Sequence, residues 1–312
     1  MIKKIFIALI TIIVLIAIME AGARIFHVSD KFRNEHCPSH YNYINSLKFR
    51  DVEHSKIKPP GTYRVVVLGD SFVYAKAVPF DDMFPRLIER KLNESSQFPE
   101  FEVINCARPG WNTAHEIFYF GKVFRDYKPD MVLISYVLND TECTQKTNPL
   151  MIEYNKKVNF REPKSKISQY LFIHSELFNY IYSIIENTRI AKEWIAGKED
   201  FYKEANICFQ EFKKAVLHLR KIMKHDNFKV VVVIFPYFQF PLNNYPFHDI
   251  HKKVTTLFNE SGFNVLDLFD TYKDYNIKEL KACHADAHPN IKAHHLAADT
   301  IVTYLQNGMI GE

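Results

Sequence analysis

The sequence predicts an α/β fold: a parallel sheet of about five strands with helices on both faces. Two patterns carry that expectation. Short, continuous apolar runs rich in β-branched residues recur along the chain, as strands buried on both faces would. Segments with helical spacing of apolar residues separate them, the alternation of a parallel sheet with crossover helices. Composition agrees. Of 312 residues, 47% are apolar and 24% charged, which excludes a disordered tail, a collagen-like repeat and a polytopic membrane protein. Forty basic against thirty-six acidic residues leave a net charge of +4. No long basic block occurs, so nucleic acid is not an expected partner.

The chain opens with basic Met1-Ile2-Lys3-Lys4, an uncharged run from Ile5 to Met19, then Glu20 and Arg24. This is the pattern of an export signal. A spanning helix needs roughly 20 residues, a length reached if Glu20 and Arg24 snorkel at the far interface. Residues 1–26 are read as a retained signal-anchor and single-pass transmembrane helix. Ala21-Gly22-Ala23 also offers the small residues of a cleavage site. Lys3 and Lys4 favour a cytoplasmic N-terminus, although Arg24, Lys31 and Arg33 flank the other side. The remainder is expected outside the cytoplasmic membrane, periplasmic or extracellular. Residues 27–60, polar and aromatic and ending in Pro59-Pro60, read as a linker and lead-in loop, and 61–312 as the folded domain.

The strand runs are Val65–Leu68, Phe101–Ile104, Met131–Val137, Lys229–Phe235 and Phe263–Leu268. Phe84, Leu87, Ile88 and Leu92 fall at i, i+3, i+4 and i+8, one face of a helix. A second helix is expected over Thr113–Arg125. A last helix places Ile291, Ala298, Ile301, Val302 and Leu305 on one face, with His294 and His295 on its exposed or interfacial side. Residues 141–200 interrupt the alternation, first as a polar loop and then as an aromatic helical stretch from Tyr170 to Tyr182. They are expected to form an insertion over one end of the sheet.

Ligands of open α/β sheets bind beyond the carboxyl ends of the strands, so those ends hold the candidate chemistry. Gly69-Asp70-Ser71 follows the first run, Pro109-Gly110-Trp111-Asn112 the second and Asn139-Asp140 the third. Asp286-Ala287-His288-Pro289-Asn290 precedes the last helix. A serine hydroxyl becomes a nucleophile when an oriented base takes its proton. Ser71 can be that nucleophile, His288 the base and Asp286 the carboxylate that orients it. The backbone N–H groups of Ser71 and Gly110, with the Asn139 side-chain amide, can stabilise an oxyanion. Asp70 reads as structural.

Together these blocks resemble the SGNH/GDSL hydrolases, over roughly Tyr63 to Leu305. Gly69-Asp70-Ser71 is similar to the family's nucleophile block, Gly110 to its second-block glycine, Asn139 to its third-block asparagine, and Asp286 with His288 to its last block. The spacing departs from many members, with the carboxylate two residues before the histidine rather than three, and Phe72 follows the serine instead of Leu. The resemblance implies a flavodoxin-like three-layer α/β/α sandwich and an esterase or acyl hydrolase, with transfer to a sugar hydroxyl as a variant of the same chemistry. The expected partner is an ester-bearing small molecule, glycan or lipid of the cell envelope. The rival expectation is a catalytically inactive, membrane-tethered binding module of the same fold.

No cofactor is expected. No His-Glu-x-x-His, Cys-x-x-Cys, dinucleotide fingerprint or P-loop occurs. His284, Asp286 and His288 alternate as metal ligands can, but suit the hydrolase block better. His36, Cys37 and His40 read as a solvated cluster in the lead-in loop. Five cysteines occur. In an oxidising compartment Cys143 and Cys283 are the pair expected to pin the loops of the site, with Cys106 close by.

Overall fold

The computed structural model describes residues 2–28, 37–94, 100–143, 148–283 and 286–310. They form two compact units. One contains Met1–Glu35 and Ile152–Gly197, the other His36–Met151 and Lys198–Glu312.

The larger unit is built on five parallel strands, β1 (Thr62–Gly69), β2 (Glu100–Ala107), β3 (Met131–Tyr136), β4 (Lys229–Ile234) and β5 (Asn264–Asp267), in the order β2-β1-β3-β4-β5. Val65 to Leu68 and all of β3 are buried, because helices cover both faces. Right-handed crossovers place α3 (Phe84–Asn93) on one face, where it packs against α11 (Ile291–Gly308). On the other face lie α4 (Thr113–Lys122), α8 (Ile207–Asp226) and α9 (His248–Glu260). The chain leaves β1 toward β2 and then crosses back to β3, so the strand order reverses at β1. That reversal is where ligands of doubly wound sheets bind. Register pairs Gly69 with Ala107, Leu68 with Ile134, and Ile234 with Asp267.

The helices follow their apolar spacing. In α3, Phe84, Leu87, Ile88 and Leu92 are buried, and Pro85 stands at the first turn, where a missing N–H costs nothing. Helix α4 ends at Lys122 rather than Arg125 because Val123 takes a non-helical backbone; one 3₁₀ turn follows, Phe124–Tyr127. In α11 Asn290 caps the first turn, its side chain accepting from the Ala293 N–H at 3.0 Å. Two expectations for this helix are corrected. Ile291 is exposed. His294 is fully buried, and its Nδ1 accepts the Phe84 N–H at 3.1 Å, a group that the start of α3 leaves unpaired.

The lead-in residues are irregular but not free. Three N–H groups on the outer edge of β2 are taken by side chains: Asn93 Oδ1 accepts from Phe101 (2.8 Å), Glu89 Oε2 from Val103 (2.7 Å) and Asp51 Oδ2 from Asn105 (2.6 Å). This blunts an edge that would otherwise offer a pairing template. Arg50, fully buried, donates to the carbonyls of Tyr74 (3.0 Å), Ala75 (2.5 Å) and Val78 (2.8 Å), holding the turn after β1.

The cysteine pairing also differs from expectation. Cys37 is bonded to Cys283 and Cys143 to Cys208, while Cys106 is free and buried. Cys37 thus belongs to a bridge rather than to a solvated cluster, because the lead-in segment runs against the loop before α11. His36 and His284 lie outside the described residues.

The smaller unit contains α1 (Ile2–Ile25), α6 (Lys166–His174) and most of α7 (Glu176–Phe201), with the end of α5 (Pro149–Val158). Lys3–Ile25 is long and apolar enough to cross a membrane, with mean hydropathy 2.7, and is exposed from Lys3 to Met19. Tyr182 donates to the Arg161 carbonyl (2.9 Å) and Arg189 to that of Asn159 (2.7 Å), tying α7 to the segment before α6.

Two measurements test this packing. Chain unfolded without reductant should expose one reactive thiol, that of Cys106, and five after reduction. His54 is bracketed by Glu102 (2.7 Å) and Asp51 (3.1 Å). Burial alone would pull its imidazole down, but these two hydrogen bonds push it up to about 9 from an ordinary 6.5. The stabilisation this gives is complete below the unfolded value and lost as pH rises through the folded one. We expect the urea midpoint to fall between those values, by up to about 3 kcal/mol in unfolding free energy, and the slope to flatten in His54→Gln.

Candidate active site

Strand β1 ends at a glycine for a steric reason. A Cβ on Gly69 would lie 2.2 Å from Val73 Cγ2 and 3.2 Å from Ser135 Cβ. The tight turn lets Asp70 cap the single helical turn α2 (Ser71–Tyr74), Oδ1 accepting the Phe72 N–H at 2.9 Å. Ser71, at the head of that turn, stays partly open to solvent.

Nε2 of His288 stands 2.8 Å from Ser71 Oγ. Nδ1 of the same ring is hydrogen-bonded to Asp286 Oδ1, which also accepts the His288 backbone N–H at 3.0 Å. The aspartate therefore holds both the ring and its backbone, and a proton on Nδ1 leaves Nε2 free to accept. The loop is folded on itself: Ala282 N–H donates to the His288 carbonyl (2.8 Å), Lys281 bridges Pro289, and Cys37–Cys283 fastens it to the lead-in segment. Phe72 packs against the imidazole at 5.6 Å between centroids, backed by Phe235 at 5.8 Å and Phe238 at 6.1 Å.

Asn139, beyond β3, donates from Nδ2 to Asp70 Oδ2 at 2.9 Å, and the same oxygen lies 3.3 Å from Ser71 Oγ. The amide has a second N–H to offer. Gly110 takes φ +76° in the turn after β2, a conformation that favours glycine, and Arg108 N–H donates to the Gly69 carbonyl at 3.3 Å. Ser71, His288 and Asp286 thus lie in one chain of hydrogen bonds. Asn139 joins them through Asp70, and Gly110 sits on the adjoining strand end. The loop after β4, residues 235–247, is rich in Phe, Tyr and Pro. Phe235, Phe238, Leu242, Tyr245 and Phe247 are all buried, so it serves as packing beneath the site.

Sequence reasoning overlooked two acids behind the serine. Glu116 on α4 and Asp140 are both fully buried. Asp140 Oδ2 accepts the Val137 N–H at 2.7 Å, whereas neither Glu116 oxygen has a hydrogen-bond partner among the described residues. Burial first, then the charges of nearby acids, pushes both carboxyls well above their ordinary range. The available signal was Glu116 itself, an acid three residues into α4 on the side of Thr113 and Ile117. Among the described residues no group of three or more His, Cys, Asp or Glu is placed to hold a metal ion.

Comparison with known proteins adds the following. No protein-family model and no curated protein matches the chain. Similar solved structures include TesA (11% identity, covering 78% of this chain and 98% of that one, TM-score 0.48). A lipase/acylhydrolase from Enterococcus faecalis is also similar (16%, 78% and 96%, 0.45). So is an acetyl xylan esterase (12%, 78% and 99%, 0.45).

Burial pulls the His288 imidazole down, but the hydrogen bond and charge of Asp286, with the charge of Asp70, raise it above its ordinary value overall. Any reaction that needs this ring as a base must fall as pH drops through that raised value. We expect the acid limb of kcat/KM to lie above pH 6.5, the ordinary imidazole value. In Asp286→Asn the limb should move to lower pH and the rate fall roughly 10³-fold or more. A limb unmoved by the substitution refutes the pairing.

Proposed function

We propose that the protein is a serine ester hydrolase of the SGNH type, anchored by α1 and acting outside the cytoplasmic membrane on an O-acyl ester of an envelope glycan or lipid. The observation that carries this is the 2.8 Å approach of His288 Nε2 to Ser71 Oγ, with Nδ1 turned to Asp286. Ser71 Oγ attacks the ester carbonyl as its proton passes to Nε2. Asp286 steadies the imidazolium. The oxyanion is met by the N–H groups of Ser71 and Gly110 and by the unused N–H of Asn139. Collapse expels the alcohol, which takes the proton from Nε2. Water, deprotonated by the same nitrogen, then adds to the acyl-serine and releases the acid and Ser71. A sugar hydroxyl in place of water makes the enzyme an O-acyltransferase with no further residue. The two disulfides suit an oxidising compartment, in keeping with Lys3 and Lys4 on the cytoplasmic side.

The test uses the full chain in detergent. Ser71→Ala should lose roughly 10³-fold or more of p-nitrophenyl acetate hydrolysis, and a fluorophosphonate should label the parent but not the variant. Activity within about tenfold of the parent defeats the assignment. A parent chain that neither turns over nor takes the label is a binding module.

A further inference from the structure

The unit formed by α1, α6 and α7 leaves uncovered an apolar surface that a soluble protein would bury or pair. Helix α6 has no buried residue. Ile167 is 75% exposed, Tyr170 63% and Ile173 73%, and Leu171 is exposed as well. Ile167, Tyr170 and Leu171 fall at i, i+3 and i+4 and so share one face. The side chain that holds the helix in place is Phe172, which lies 5.5 Å from Tyr182 and 6.1 Å from Phe160. Lys164 and Lys166 stand exposed at the N-terminal end of α6.

What covers this face follows from where α6 is tied. Glu20 and Arg24, the charged residues that close the apolar run of α1, bond to the junction of α6 and α7. Glu20 accepts from Ser175 Oγ (2.7 Å) and from the N–H groups of Glu176 (3.1 Å) and Leu177 (3.0 Å), capping α7 from another helix. Arg24 donates to the His174 carbonyl at 2.5 Å, the last residue of α6, and pairs with Glu20 at 2.7 Å. The end of α6 is therefore one hydrogen bond from the level at which α1 leaves the hydrocarbon. A nine-residue helix is only about 14 Å long, so its whole length stays near that level if it lies along the surface.

We propose that α6 lies in the membrane–water interface, with Ile167, Tyr170 and Leu171 sunk among the lipid chains and Lys164 and Lys166 at anionic headgroups. The chain then holds its bilayer by two contacts, a spanning helix and an interfacial one, joined by Glu20 and Arg24. An apolar face carrying an aromatic side chain, with basic residues beside it, is the pattern of an interfacial helix. The proposal rests on the reading that α1 is retained. The bonds made by Glu20 support that reading, since cleavage after Ala23 would strip α7 of its cap.

The test reconstitutes the full chain in phosphatidylcholine–phosphatidylglycerol vesicles, plain or with brominated acyl chains, and reads tryptophan emission above that of the parent. Tyr170→Trp should show blue-shifted emission and lose intensity in brominated vesicles, as Phe6→Trp within α1 does. Adding Ile167→Glu and Leu171→Glu should abolish the loss for Tyr170→Trp and leave that for Phe6→Trp unchanged. If Phe6→Trp is quenched and Tyr170→Trp is not, α1 spans and the proposal is overturned; chain-to-chain crosslinking at α6 would then give the face to a second copy. If neither is quenched, both the anchor reading and the proposal fall.

Discussion

The contact between Ser71 Oγ and His288 Nε2 joins residues 217 positions apart, and the rest of the site depends on keeping it. Neither partner can hold it alone. Ser71 sits on a single helical turn fixed by Gly69, Asp70 and the three carbonyl bonds of Arg50. His288 sits on a loop that a cap on α11, a bridge to Lys281 and a disulfide to Cys37 pin from three sides. Asn290 does two of these tasks at once, capping α11 and donating to the carbonyls of Glu279 (2.8 Å) and Lys281 (3.1 Å). The sheet contributes the remaining precision. Parallel register places the ends of β1, β2 and β3 side by side, so three loops reach one spot without any of them being long.

Behind the serine the chain keeps acids where an apolar residue would be cheaper. An isolated buried carboxylate is costly enough that it takes up a proton instead. Burial raises the carboxyls of Glu116 and Asp140 well above their ordinary range in the same sense. Asp70 is the joint between these layers. It accepts from the Phe72 N–H and from Asn139 Nδ2, and lies beside Ser71 Oγ.

Legibility in the sequence followed the range of the interaction. β-Branched runs and the i, i+3, i+4 spacing of Phe84, Leu87 and Ile88 are local, and they locate strands and helices to within a few residues. The candidate residues were readable for a related reason: strand ends are identifiable, and chemistry gathers there. Helix α8 was equally readable from Phe209, Phe212, Val216 and Leu219 but lay beside the insertion and escaped notice. The pairing of Cys37 with Cys283 was not readable, because positions along the chain do not choose among the possible pairings of five cysteines and only tertiary geometry does. His294 failed likewise. Its spacing on α11 allowed either side, and what decided was an unpaired N–H on α3 that needed an acceptor.

That last case is one of a kind. Asp51, Glu89 and Asn93 meet the outer N–H groups of β2, Glu20 meets the first N–H groups of α7, and Asp130 Oδ2 accepts the Arg64 N–H at 2.7 Å. In each, a polar side chain from a separate segment satisfies a backbone donor that regular structure leaves over. Leaving such a donor buried and unmet costs about 1–3 kcal/mol, so each bond favours the one arrangement in which the two segments meet. Local propensity cannot announce these bonds, since an acid in a loop looks the same whether or not a strand edge awaits it. They are nonetheless what turns an ordinary α/β pattern into a particular molecule, and within the smaller unit Glu20 applies the same device between α1 and α7.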